Sequence, residues 1–222
     1  MLPAIEMATG ERPGWSVIWL HGLGADGHDF VPIVPELVQP GWPALRFVFP
    51  HAPVRAVTIN QGMEMRAWFD ILGADFARRE DAAGVADSVQ QVNALIAREE
   101  SQFGIPPARV LLAGFSQGAA IALACGLTRT DGLAGIVALS GYLPVAGVTL
   151  GHMTDAGRAT PVFMAHGSAD PVVSPALGSA SRDALLSAGV LVDWHEYPMP
   201  HSVCAEEIAD LRQWLGGLLD RG

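Results

Sequence analysis

Six strand-like runs, at 17–20, 45–49, 110–113, 136–139, 161–165 and 190–197, alternate with stretches of helical periodicity, and this alternation restricts the folds open to the chain. A helix between two strands carries the chain back across a sheet face, so successive strands pair in parallel. Val85, Val89, Val92 and Ile96 recur at i, i+4, i+7 and i+11, which marks one buried helical face. Ala180, Ala184, Leu185 and Ala188 form a shorter stripe, and Ile208, Leu211, Leu215 and Leu218 another. The expected architecture is α/β, a mostly parallel central sheet with helices on both faces. No repeat, charge block or Ser/Pro-rich linker divides the chain, so one domain over 1–222 is expected. Ligands of open α/β sheets bind beyond the carboxyl ends of the strands, which makes the strand-end residues the ones to read.

Bulk composition narrows the partners. The chain has 222 residues, 50% hydrophobic and 16% charged, enough for a sizeable core. A formal net charge of −10 argues against nucleic acid or an anionic membrane held by electrostatics. Two cysteines, Cys125 and Cys204, do not make a disulfide framework and fit a reducing compartment. The N-terminal MLPAIEMATGERPG has neither a basic nor an apolar segment of secretory type, and no run approaches the ~18 apolar residues of a spanning helix. A cytoplasmic protein without stable membrane insertion is expected; a homodimer stays open.

Residues 114–118, Gly-Phe-Ser-Gln-Gly, fit the pattern G-x-S-x-G. Chance gives that pattern in roughly one chain in ten of this length, so the pentapeptide is weak by itself. Its context is not weak. An apolar strand precedes it and the small-residue helix AAIALACGL follows, which puts Ser116 on a sharp strand-to-helix turn with its hydroxyl pushed outward. The helix N-terminus then directs its N–H groups and partial positive charge at the same point.

A serine hydroxyl at neutral pH needs a base to take its proton, and the base needs an orienting acid. In the chain order that goes with such a turn, Ser, then Asp or Glu, then His, the candidate bases are His152, His166, His195 and His201. His166 and His195 read as structural. His201 follows the last strand in a Pro-Met-Pro-His turn, ahead of Ser202, the expected N-cap of the final helix. Asp170, in the turn after the preceding strand, is the expected acid, ahead of Asp155 and Asp193. For the oxyanion, the N–H of Gln117 and that of Leu23, in the glycine-rich HGLGADG at 21–27, are the expected donors.

Residues 54–84 lack a clean period yet are rich in Met, Trp and Phe. Long irregular segments in compact domains are usually functional. Met63, Met65, Trp68, Phe69, Ile71 and Leu72 are either core filler or an apolar wall over the site, and Trp68, Met65 and Phe69 are expected to line an acyl pocket.

Seven segments in order, LHGLGADGHDF (20–30), PHAP (50–53), RAWFD (66–70), GFSQGAA (114–120), SGYLP (140–144), HGSADPVV (166–173) and HSVCAEEI (201–208), make nearly the whole chain resemble the phospholipase/carboxylesterase group of α/β-hydrolases, which includes acyl-protein thioesterases and small bacterial carboxylesterases. The resemblance implies Ser116, Asp170 and His201 as a triad, Leu23 and Gln117 as oxyanion donors, and the Trp68 segment on the acyl side. One departure is Pro200, where the family usually has glycine; it stiffens the approach to His201.

The expected protein is a serine carboxylesterase acting on esters of small to medium acyl chains, with lysophospholipase or acyl-thioesterase activity open, and using no cofactor and no metal. Its partner is a small ester or lipid-like substrate. The rivals are a non-catalytic binding protein on a hydrolase scaffold and a cysteine hydrolase using Cys204 with His201.

Overall fold

The computed structural model describes residues 1–73 and 80–220. Its strands are β1 (Ala4–Ala8), β2 (Trp15–Leu20), β3 (Leu45–Pro50), β4 (Val54–Val57), β5 (Met63–Arg66), β6 (Val110–Phe115), β7 (Gly135–Leu139), β8 (Val162–Gly167) and β9 (Val192–Tyr197). The α-helices are α1 (Ile33–Leu37), α2 (Ala82–Phe103), α3 (Gln117–Thr128), α4 (Ala146–Gly151), α5 (Asp155–Ala159), α6 (Pro175–Ser187) and α7 (Ala205–Leu219). Seven strands form one sheet in the order β1-β3-β2-β6-β7-β8-β9, parallel except for β1, and β4 with β5 form a separate antiparallel hairpin.

Strand alternation sorts the core into two layers. Ile18, Leu20, Leu112, Ile136, Ala138 and Met164 face a layer closed by Val92, Leu95 and Ile96 of α2 and by α3. Val17, Trp19, Phe47, Leu111, Val137 and Phe163 face the other, closed by α1 and by Leu211, Leu215 and Leu219 of α7. Helices therefore cover both faces, as the alternation of elements implies. All six expected strands are present.

Other details depart from expectation. The buried face of α6 is Gly178, Ser181 and Leu185, while Ala180 is exposed. The reason is proximity: a Cβ on Gly178 would lie 2.5 Å from His166 Nδ1, so only the smallest residue fits against that ring. The final helix is N-capped by Cys204, not Ser202. The 54–84 segment, whose residues 74–79 lie outside the described ones, contains the β4–β5 hairpin and closes on itself through an Ile71–Glu80 bridge.

An ion cluster joins the edge of the sheet to α2. Glu99 is fully buried and accepts from Arg46 Nε at 2.9 Å, Arg98 Nη2 at 3.0 Å and Ser16 Oγ at 3.0 Å, while both arginines also reach Glu6 on β1. A buried carboxylate is tolerated only with such a complete set of donors.

Candidate active site

The turn between β6 and α3 carries Ser116 at φ 56°, ψ −117°, a conformation that L-residues rarely adopt. Its N–H donates to Leu139 O at 2.8 Å, and its carbonyl accepts the first helix bond from Ala120 at 3.2 Å, so the strained residue is held from both sides. The flanking glycines are present for contact: a Cβ on Gly114 would fall 2.3 Å from the Gly118 carbonyl carbon, and one on Gly118 would fall 2.2 Å from Leu20 O. β6, α3 and β2 thus meet at backbone distance beneath the serine.

Asp170 lies in the turn after β8, with its side chain fully buried. Its Oδ1 accepts the N–H groups of Val172 at 2.8 Å and Val173 at 2.9 Å, and its Oδ2 lies 2.7 Å from His201 Nδ1. The carboxylate is acceptor-only, so Nδ1 carries the proton and Nε2 of a neutral ring is left as an acceptor. The His201 ring packs on Phe115, centroids 4.7 Å apart, which brings it beside the residue preceding Ser116. Pro200 is accommodated. The turn folds through Met199 N–H to Tyr197 O at 2.8 Å and Ser202 N–H to Pro200 O at 2.9 Å, and it lies so close to β8 that a Cβ on Gly167 would meet Met199 O at 2.4 Å.

The other histidines are placed elsewhere. His166 Nε2 donates to Val173 O at 3.0 Å and buttresses the Asp170 turn. His195 sits between Asp193 and Asp210 and stacks on Phe163. His152 is exposed at the end of α4. Among the rival acids, Asp155 lies in the first turn of α5. Burial pushes the Cys204 thiol above its ordinary value, and Cys125 up to about 12, so neither is a thiolate at neutral pH.

Leu23 and Gln117 meet at this point. The loop holding Leu23 lies against the serine turn, since a Cβ on Gly22 would be 3.5 Å from Ser116 Cβ. Gln117 opens α3, where an N–H has no intrahelical acceptor. Among the described residues neither N–H meets a backbone acceptor. Leu23, Ser116 and Gln117 border a cavity of about 50 Å³ walled by Phe69, Ile71, Tyr142, Val172 and Val173. That is room for a few water molecules or a short acyl group. Tyr142 also borders a groove of about 480 Å³ that runs along Leu143, Val145, Leu177 and Ala184.

Of the residues expected in the apolar wall, Phe69 and Ile71 line the cavity, and of the three assigned to the acyl pocket only Phe69 does. Trp68 is fully buried and hydrogen-bonded behind it, and Met65 borders a separate surface hollow with Ile59 and Met63. The cause for Trp68 is its indole N–H, which finds a buried carbonyl where a wall position would leave it facing substrate. Sequence reasoning missed Tyr142, Val172 and Val173 as wall residues, although Tyr142 lies in the SGYLP segment and the two valines directly follow Asp170-Pro171.

Glu207 lies six residues beyond His201 and is fully buried. It is the third residue of α7 after the Cys204 cap, the position from which a glutamate reaches back toward the cap N–H. Burial pushes the carboxyl up to about 8, opposed only in part by the Cys204 N–H, and among the described residues neither carboxyl oxygen has a partner in hydrogen-bond geometry. A carboxyl raised in the folded state binds its proton more tightly there than in the unfolded chain. Stability is therefore full at low pH and falls as pH rises from about 4.5 toward about 8, by up to about 1.4 kcal/mol per pH unit. Thermal melts of Glu207→Gln and the parent should match near pH 4.5 and diverge in favour of the variant up to pH 8. A melting difference independent of pH would contradict the buried neutral carboxyl.

A serine held on a strained strand-to-helix turn of a parallel sheet, with a buried Asp–His pair at the neighbouring strand ends, defines the chain as a serine hydrolase of the α/β-hydrolase fold, of esterase or thioesterase type. It belongs to the phospholipase/carboxylesterase family, which matches residues 4–218. The chain is 39% identical over 225 residues to acyl-protein thioesterase 1 of Mycosarcoma maydis, covering 95% of this chain and 94% of that one. It is 37% identical over 218 residues to acyl-protein thioesterase 1 of Yarrowia lipolytica, covering 96% of each. Among solved structures, Arabidopsis thaliana SOBER1 superposes with a TM-score of 0.86 at 31% identity, covering 92% of this chain and 99% of that chain. Zea mays acyl-protein thioesterase 2 superposes at 0.85 with 26% identity, covering 98% and 100%.

Proposed function

We propose that the chain hydrolyses carboxylic esters and thioesters of small to medium acyl groups through an acyl-enzyme at Ser116. The 2.7 Å contact between His201 Nδ1 and Asp170, beside the Ser116 turn, carries this reading. His201 Nε2 takes the Ser116 proton as Oγ attacks the carbonyl carbon, and the negative charge that forms on oxygen is met by the N–H groups of Leu23 and Gln117. Collapse of the tetrahedral adduct breaks the bond to the alcohol or thiol, which leaves with the proton held by His201. Water then attacks the acyl-enzyme and gives up a proton to His201, which passes that proton to Ser116 Oγ as the acyl–oxygen bond breaks, releasing the carboxylic acid and restoring both residues.

The apolar walls at Phe69, Ile71 and Tyr142 support a lipid-like acyl group, as do the thioesterase names of the relatives. Lysophospholipids present the same ester chemistry and belong to the same proposal. No helix among the described residues is long and apolar enough to cross a membrane, and both cysteines are free, which supports action in a reducing cytoplasm.

A fluorophosphonate probe is expected to label the protein stoichiometrically at Ser116, located by peptide mass spectrometry. The labelled protein should lose hydrolysis across an acyl-length series of oxygen esters, thioesters and lysophospholipids. Labelling at Cys204, or hydrolysis that persists after full labelling, would overturn the assignment.

A further inference from the structure

The two N–H groups assigned to the oxyanion come from different elements, the loop after β2 and the start of α3. The β2–β6 register joins these elements only as far as Leu20 and Gly114, short of both donors. Beyond that point residues 66–69 connect them. On one side the buried Gln117 side chain clasps this segment: Oε1 accepts the Trp68 N–H at 2.7 Å and Nε2 donates to Phe69 O at 2.7 Å. A primary amide offers an acceptor and a donor from one group; glutamate lacks the donor, and methionine lacks the donor and keeps only a weak sulfur acceptor.

On the other side the same segment fixes the loop around Leu23. The Trp68 indole Nε1 donates to His21 O at 2.8 Å, and Arg66 O accepts the Gly24 N–H at 2.9 Å. His21 adds a third tie. Its Nε2 accepts the Ala52 N–H at 3.0 Å, so Nδ1 carries the proton and donates to Gly22 O at 2.7 Å; burial lowers the pKa of this ring and keeps it neutral. The residues on both sides of Leu23 are thereby bonded while its own N–H is left for the ligand. The segment is itself anchored, by Ser88 Oγ on Trp68 O and by the Ala67 N–H on Pro53 O.

We infer that residues 66–69 form a strut that sets the spacing of the Leu23 and Gln117 N–H groups, with Trp68 and the Gln117 side chain as positioning residues for the transition state. The inference rests on the oxyanion assignment proposed above. Its physical basis is the steep geometry of such stabilisation: donors must lie about 2.7–3.1 Å from the developing oxyanion, and a misplacement of about 1 Å costs on the order of 100-fold in rate.

Two variants test it. Gln117→Met keeps the volume and the backbone N–H but loses both amide bonds, and Trp68→Phe keeps an aromatic ring but loses the indole donor. Each is assayed for kcat and KM on p-nitrophenyl butyrate. Each is also assayed for binding of butyl trifluoromethyl ketone, which forms a tetrahedral adduct with serine, and of butyl methyl ketone as a ground-state mimic. Each variant should lower kcat about 10- to 100-fold, leave KM within about 3-fold, and weaken the fluorinated ketone in proportion to kcat/KM without weakening the methyl ketone. The double variant should lose less than the product of the single losses, because both act through one segment.

If Gln117→Met does not fold, Trp68→Phe decides. A folded Trp68→Phe with parental kcat, or one whose kcat falls with no change in affinity for the fluorinated ketone, overturns the strut. Ser116→Ala, run alongside, separates the two claims. If it hydrolyses at the parental rate, the proposed function fails. If it is inactive while folded Gln117→Met or Trp68→Phe keeps parental kcat, only the strut fails.

Discussion

Replacing Ser116 by alanine is expected to lower kcat by about 10⁴- to 10⁶-fold while leaving the melting temperature near that of the parent. The hydroxyl contributes the bond-forming atom, and its removal vacates almost no volume. His201→Ala should be nearly as severe, because without the imidazole the serine proton has no acceptor. The double variant should be no worse than either single one, since the two groups act as a unit. Asp170→Asn should cost about 10⁴-fold, as an amide at that position favours the wrong imidazole tautomer. Steady-state kinetics on a soluble ester, with thermal melts as the fold control, check all four proteins. Losses that multiply between Ser116 and His201 would show that the two groups do not share a step.

Gly118→Ala is expected to be the most destabilising single-methyl addition near the site. The added Cβ would lie 2.2 Å from Leu20 O, 2.6 Å from the Leu20 carbonyl carbon and 2.7 Å from His21 O, all backbone atoms of a central strand or its end. No rotamer relieves such a contact, so α3 must separate from β2. Overpacking against unyielding backbone lies at or above the upper end of the usual range, roughly 3 kcal/mol, which is about 6–12 °C in melting temperature for a chain of this size. Gly147→Ala, in α4 where an added Cβ meets nothing within 4 Å, is the control and should melt at or slightly above the parent. A Gly118→Ala protein with parental melting would mean that the close approach of β2 and α3 is not required.

The sheet was legible because fully buried parallel strands are written as continuous apolar runs: Val110–Phe115 and Gly135–Leu139 have hardly any other reading. Ala4–Ala8 escaped notice because an edge strand needs only one covered face, and its apolar residues alternate with Glu6. The hairpin at 54–66 is marked by Gln61 and Gly62, both at positive φ, but its strands are four residues each and largely exposed, which leaves little periodic signal. The positions of Ser116, Asp170 and His201 were readable because each belongs to a turn with its own local chemistry. The wall was not. Whether a tryptophan lies in a core or beside a substrate depends on which distant carbonyl receives its N–H, and for Trp68 that carbonyl belongs to His21, 47 residues away.

The sheet order has a consequence for how activity first arises in a newly made chain. The groups assigned to catalysis sit at the ends of β2, β6, β8 and β9, and the final strand pair, β8 with β9, brings His201 to Asp170. No fragment shorter than residues 23–201 contains the whole constellation. Pairings between residues so far apart in sequence are slow to form, because loop closure must precede the contacts that reward it. Enzymatic turnover in a refolding chain therefore waits until β2, β6, β8 and β9 are all in place, and ester hydrolysis becomes a stopwatch for the strands that carry the site.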